Sequence, residues 1–557
     1  MTLDGFLTFL TLIIAAYAIL SSVDRLRLRL RMVAPLVISA IGFCLVVYFE
    51  FFSLLALPCP EAIGRACRYL TISSESRINA GQAAFVVVIC WLALAWLALS
   101  RIRLSARALP ALSNLASELA YEGRYAELTK LLEPHIELLD RAATRKLALP
   151  ALRERVLELD PENLPMHKHV ERLAAGIPEF SKRPIWYRAT ALTAARLAKL
   201  MPAGRRAEDA ANEVFRLLLQ THELISFIAL SRPNFGIRLL SCSVHGVQEF
   251  CDEYLRVMIS NSRSILYAEI KQNQNISSKE GYWFPEQNRL LHFLFGDAKT
   301  AERLGVWKPI GDYLISALRP GNDPAYVQFL NDAADGFEDE KWADRTFVTI
   351  RFFDLMVTAA QYQGIRWHMW LYYFPHFIEE LLRIYDASGE NIDLTDEWPT
   401  RAAYLIYQLF SALTRWIENI KDVPRDSPHL ALNDNLAHQN GNIPKSAILA
   451  LASCLESLLT AESVDDRFKK RIHGMVMHTL RELSQGTIGE QHRAGRCRVI
   501  LIKAIIQGGG DLHTPPEGYS ETLKRLWRET DHVVRDDISG YARRLFPAAS
   551  EPRDSAN

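Results

Sequence analysis

The sequence predicts an all-α protein that lives in two solvents, with three transmembrane helices at the start and a large helical body in water. Three observations carry this. Apolar runs of roughly twenty residues or more crowd into the first hundred positions. Beyond Ala108 apolar residues recur at spacings of three and four, and strand-like alternation is scarce. A chain of 557 residues is too long for a single core. The expected division is a transmembrane domain over 1–104, a helical cytosolic domain over 105–325 and a helical C-terminal cytosolic domain over 326–557.

The spans come first. Gly5 to Val23 is uncharged and, at 1.5 Å per residue, covers most of a ~30 Å hydrocarbon core. A second stretch runs from Met32 to Leu57 and a third from Gly81 to Ser100, with Trp91 and Trp96 among leucine, valine and alanine. A cleaved signal peptide needs a positive leading region, whereas the residues before the first stretch carry Asp4 and neither lysine nor arginine. Arg25, Arg27, Arg29 and Arg31 follow the first span, and Arg101, Arg103 and Arg107 follow the third. Arginine-rich flanks stay cytoplasmic. The expected topology therefore places the amino terminus and the loop 58–80 outside, and everything after Arg101 inside. The arginines of the first cluster are also placed to contact anionic lipid headgroups.

Within the spans Glu50 is the one ionisable residue. A carboxylate in hydrocarbon is costly and marks an intramembrane polar site by default, although Glu50 stands near the outer end, where it can reach headgroup level. No pair of Gly/Pro-broken segments marks a midplane substrate site, which argues against a secondary transporter. In the outer loop Cys59 and Cys67 are close enough in sequence for a disulfide if that compartment is oxidising. The alternative is two free thiols, with no change to the functional reading.

The body opens with a helical hairpin over 112–160. Its turn, Leu119 to Leu128, contains Gly123 flanked by Tyr121 and Tyr125 and resembles the tetratricopeptide-type turn, in which glycine makes the corner and tyrosine packs between helices. Further amphipathic runs follow, among them 207–230, 247–272, 345–363, 370–385, 400–420, 445–459, 467–483, 495–506 and 520–545. Breaker-rich connections at 319–324, 387–399, 422–444 and 507–518 separate them. The first of these, followed by the acidic stretch after Asp335, is the expected internal boundary.

Chemistry is sparse in this body. No phosphate-binding glycine loop, zinc-protease, hydrolase or kinase signature is present, and the Gly508 to Gly510 run lacks the lysine and preceding strand that a phosphate cradle needs. The eight cysteines include no CxxC pair. Neither a cofactor nor a metal is expected, and His473 and His478, five apart, do not share a helical face. The segment 367–380 is dense in aromatics. Trp367, Trp370, Tyr373 and His376 on it form a candidate partner groove, against the plainer expectation that aromatics at helical spacing fill a core. Lysine plus arginine equal aspartate plus glutamate at 64 each, so only local patches can attract a charged partner. The most basic region, 467–503, includes Lys469, Lys470, Arg471, Arg496 and Arg498. It is read as a solvated face or as a site for nucleic acid or a nucleotide ligand.

A few minimal spans followed by a large cytosolic domain resemble the membrane effectors of bacterial antiphage systems of the retron or cyclic-nucleotide type. The resemblance covers the order of parts and no residue motif. The spans predict a multi-pass inner-membrane protein, and the lack of a catalytic signature predicts a non-enzymatic one. The resemblance implies that the protein is held inactive until activation, when it perturbs the inner membrane to stop the growth of an infected cell. Its expected partners are the lipid bilayer and a protein partner or further copies of itself. The rivals are a helical scaffold that recruits a protein partner to the membrane, and an enzyme centred on His376.

Overall fold

A computed structural model describes residues 106–146, 148–157, 205–274, 281–366, 369–436, 441–508 and 514–546, with short helical pieces inside 41–45, 87–94 and 190–198. Among the described residues every regular element is a helix, and extended backbone pairs only in isolated bridges such as Ala333 with Thr400. The protein is all-α. The first apolar stretch lies outside the described residues, as do Arg25, Arg27, Arg29, Arg31, Glu50, Cys59, Cys67, Arg101 and Arg103.

Parts of the second and third apolar stretches are described. Residues 41–42, 44–45, 87–91 and 93–94 are helical, and Ile41, Leu45, Ile89 and Leu94 are 57%, 37%, 50% and 53% exposed. These two pieces meet at Gly42, where an added Cβ would lie 3.0 Å from Cγ of Trp91. Small residues permit such close helix approach. One described helix, Ile443–Thr460, is long and apolar enough to cross a membrane, yet 72% of it is buried inside the protein. A helix apolar on every side is a core helix when other helices surround it.

Two compact units divide the chain, one of 1–218 with 242–244, the other of 219–241 with 245–557. In the first, α1 (Leu109–Tyr121), α2 (Tyr125–Leu132), α3 (Ile136–Ala143) and α4 (Ala148–Leu157) follow one another. The α1–α2 hairpin closes on Gly123, whose φ of 70° is one that side chains disfavour, and Arg124 N–H donates to the Leu119 carbonyl at 2.9 Å. This is the glycine-stopped helix end expected of the turn. Leu112, Leu115, Ala116 and Leu119 bury against Leu128, Leu131 and Leu132. Of the two tyrosines of the turn, Tyr121 is 95% exposed and Tyr125 half-buried, and the buried residues of the hairpin are mainly aliphatic.

After α5 (Arg205–Gln220), the second unit contains α6 (His222–Ser231), α7 (Pro233–Leu240), α8 (Val247–Ser260), α9 (Ile265–Gln272), α10 (Arg289–Phe295) and α11 (Ala298–Leu304). Then come α12 (Trp307–Leu318), α13 (Pro324–Asn331), α14 (Phe337–Glu340), α15 (Arg345–Tyr362) and α16 (Tyr373–Ile384). The last group is α17 (Arg401–Glu418), α18 (Ile443–Thr460), α19 (Asp466–Glu482), α20 (Ile488–Gln507), α21 (Tyr519–Arg528), α22 (His532–Asp537) and α23 (Ser539–Leu545). Polar side chains fix where several begin. Asp344 accepts from Phe347 N–H at the start of α15, Thr400 from Ala403 at α17, Asn442 from Lys445 at α18, and Thr487 with Glu490 makes a reciprocal capping box at α20. Gly508, φ 66°, ends α20.

The core of this unit is α18 packed by α16, α17 and α20, with α15 lying between α12 and α17. The boundary expected near 325 falls inside this unit. The breaker run 319–324 is a turn that ends at the α13 cap, where Asp323 accepts from Tyr326 N–H, and α13 then packs on α17.

Candidate ligand pocket

Helix α15 reads RTFVTIRFFDLMVTAAQY, and only Arg345, Arg351 and Tyr362 on it reach beyond the interior. Asp354 is on the wrong side of that division, 1% exposed in an otherwise apolar setting. An ionised carboxylate is tolerated there only when paired and hydrogen-bonded. Arg351 Nη1, one turn earlier on the same helix, donates to Asp354 Oδ2 at 2.5 Å, and Arg415 Nη1 from α17 donates to the same oxygen at 2.5 Å. The Tyr282 hydroxyl donates to Oδ2 at 2.9 Å and itself accepts from Arg415 at 2.9 Å, while Trp416 Nε1 donates to Oδ1 at 3.1 Å. The charge of Asp354 holds the Arg415 guanidinium more firmly protonated than usual, and burial pushes the Tyr282 phenol up.

This cluster forms part of the lining of a cavity of about 520 Å³, together with Lys341, Trp342, Tyr404 and Gln408. Lys341 pairs with Glu338, donates to the Tyr404 hydroxyl at 3.0 Å and stands over the rings of Phe347, Tyr404 and Trp342 at 5.3, 5.5 and 5.8 Å. Much donor capacity is left over. Arg351 and Arg415 spend only Nη1, leaving Nε and Nη2 of each guanidinium without an acceptor among the described residues. Thr358, 3% exposed, also lines the cavity, and its buried hydroxyl has no partner among the described residues. With Asp354 counted, the two arginines leave a net positive charge facing the space.

A second cavity of about 770 Å³ is lined by Tyr267, Tyr313, Tyr326, Phe329 and Arg345 among others, and Trp342 belongs to both linings. Arg345 lies 3.7 Å above the Tyr326 ring and pairs with Asp323. Asp344, fully buried, accepts from the Tyr326 hydroxyl at 2.7 Å, and burial raises its carboxyl above the usual range. Here Arg345 is already matched by Asp323.

The residues singled out from sequence lie elsewhere. Trp367 is outside the described residues. Trp370 is fully buried, with its ring 5.4 Å from that of Trp307, Tyr373 packs on Phe353 and donates to Asp312 at 2.8 Å, and His376 is on the surface, 3.4 Å from Glu379. They do not line one groove, because Trp370 is sealed in the core while His376 faces water. Of the basic group, Lys469 is buried, Lys470 pairs with Glu529 at 3.1 Å, and Arg471 donates to the Glu397 carbonyl and lies over Trp398. Arg496 and Arg498 each donate to a carbonyl at 3.0 Å, those of Leu432 and Asp537. These cations tie helices to neighbouring segments. His473 is buried and His478 exposed beside Glu482, and among the described residues no three His, Cys, Asp or Glu side chains converge as a metal site.

Asp354, Arg351, Arg415 and Tyr282 were not anticipated from sequence. The signal was an arginine and an aspartate three apart inside an otherwise apolar helix, the spacing that puts both on one face. No family model matches the chain, and none of the curated proteins matches it in sequence.

Proposed function

We propose that the protein is a membrane-associated, non-enzymatic receptor whose helical body captures a small anionic ligand in the cavity above Asp354. The observation that carries this reading is the pair of guanidinium groups held by one carboxylate oxygen, each with two nitrogens unspent, on two residues that line the same cavity. Pinning by Asp354 costs the arginines their freedom before any ligand arrives, so little ordering remains for binding. The apolar stretches 5–23, 32–57 and 81–100 anchor the chain in a bilayer, with the body on the cytoplasmic side of a bacterial inner membrane. Occupancy of the cavity is the signal, and its output is exerted on the bilayer in the manner of antiphage membrane effectors. The outward apolar side chains of Ile41, Leu45, Ile89 and Leu94 support contact with lipid.

The two halves are tested separately. Alkaline washing of membranes from expressing cells leaves the chain in the pellet; recovery in the supernatant would remove the membrane half. Inorganic pyrophosphate raises the unfolding temperature of the detergent-solubilised full chain, and Arg415→Gln abolishes the response. No response in the wild-type chain would remove the receptor half.

A further inference from the structure

We propose that the ligand is a nucleoside phosphate, an inference that rests on the receptor reading above. The first argument concerns the phosphate. A guanidinium is a planar fork matched to phosphate oxygens, and bidentate pairs of this kind are the strong ones. Arg351 and Arg415 each retain Nε and Nη2, and Asp354 fixes both from behind. A carboxylate deep in the wall also keeps the site from being strongly cationic, which suits a group carrying one or two negative charges.

The second argument concerns the remainder of the ligand. Orthophosphate alone would leave most of about 520 Å³ empty, and that volume falls within the ~300–1,000 Å³ typical of small-molecule and cofactor sites. Beyond the arginines the walls are aromatic, from Trp342, Phe347, Tyr362 and Tyr404, and are punctuated by the amides of Gln274, Gln408 and Asn419. Aromatic walls of this kind suit a planar heterocycle seated beside the Lys341 ammonium, which stands over Trp342, Phe347 and Tyr404. An amide sets a donor beside an acceptor, which is the pattern that reads the edge of a base. Among the described residues neither Gln274 nor Gln408 makes a side-chain hydrogen bond.

The test is calorimetric titration of the detergent-solubilised full chain with AMP, GMP, CMP and UMP, with orthophosphate, pyrophosphate and adenosine as part-ligands. At least one nucleotide binds about tenfold or more tighter than orthophosphate and than adenosine, and Arg415→Lys, which keeps charge but loses the fork, weakens it at least about tenfold. Gln408→Leu lowers the preference among bases while leaving pyrophosphate affinity unchanged. Gln408 is half-buried and has no hydrogen bond to lose, so this variant keeps the test decisive if Arg415→Lys fails to fold. If pyrophosphate binds as tightly as every nucleotide and responds to Arg415→Lys, the base-reading proposal is overturned and the anion receptor stands. If none of these anions binds, both fall together. Nucleotide binding that ignores both variants overturns the assignment to this cavity.

Discussion

Arg415 of α17 meets Asp354 of α15 at 2.5 Å, and this contact joins two of the most extensively packed helices of the second unit through a fully desolvated carboxylate. Removing the negative charge leaves two guanidinium groups facing each other without their counterion. Asp354→Asn is expected to lose about 3 kcal/mol of stability or more. Sulfate or phosphate at millimolar concentration recovers part of that loss, because the anion replaces the missing charge. Urea denaturation with and without sulfate measures both, and an unaltered midpoint in Asp354→Asn would show that the arginines do not depend on it.

Gly236 of α7 faces the ring of Tyr254 so closely that a Cβ would lie 2.3 Å from Cε2. Tyr254 is fully buried and its hydroxyl donates to the Pro233 carbonyl at 2.8 Å, so the ring has no room to retreat. Gly236→Ala is expected to destabilise by about 1–3 kcal/mol through overpacking. Gly474, on α19, is the control. A Cβ there meets nothing within 4 Å, and Gly474→Ala is expected to stabilise by roughly 0.5–1 kcal/mol. Midpoints of chemical denaturation separate the two signs.

The buried histidines should make stability rise between pH 4 and pH 6.5. Burial lowers the His473 ring from 6.5 to about 4, so the unfolded chain takes up that proton first as pH falls. The contribution from a neutral His473 is whole above about pH 6.5 and lost on descent to about 4, roughly 3 kcal/mol at most. Burial likewise lowers His429 to about 4. Glu269 acts in the opposite sense. It caps the start of α10 by accepting from Leu290 and Leu291 N–H at 3.2 and 2.9 Å, yet burial pushes its carboxyl from 4.5 up to about 6. Its contribution is present below pH 4.5 and lost as pH rises through 6, roughly 2 kcal/mol. The histidines pull against Glu269 and against the other carboxyls that burial raises, those of Asp252, Asp344 and Glu418. His473→Gln should remove part of the rise and Glu269→Gln part of the opposing fall, as read by urea midpoints at half-unit pH steps.

For the membrane part, changing Arg25, Arg27, Arg29 and Arg31 together to glutamine should weaken the topology, so that a reporter fused after Asn557 appears partly outside. A reporter that stays wholly inside would show that these arginines do not set orientation.

Much of the helical body was legible because its elements obey a period of three to four and begin at recognisable caps. The α1–α2 turn is an instance, where glycine at the corner sufficed. What sequence could not show was which side chains of an aromatic or charged run would be enclosed. Trp370 and His376 lie six apart on one aromatic run, yet one is core and the other is solvated. The basic run around Arg496 looked like a free surface because the carbonyls it bonds, such as Leu432, come from segments about sixty residues away. The pocket was hidden for the same reason. Tyr282, Asp354 and Arg415 come from three separated parts of the chain, and only tertiary packing makes a lone aspartate in an apolar helix the anchor for two arginines.

Trp342 belongs to the lining of two cavities, and a shared wall cannot be displaced for one tenant alone. Whatever fills the space beside Arg415 and shifts that indole must alter the affinity of the space beside Arg345 by the same factor that filling the latter alters the former, since coupling between binding equilibria is reciprocal. Anything that moves this tryptophan from one side would therefore be felt on the other.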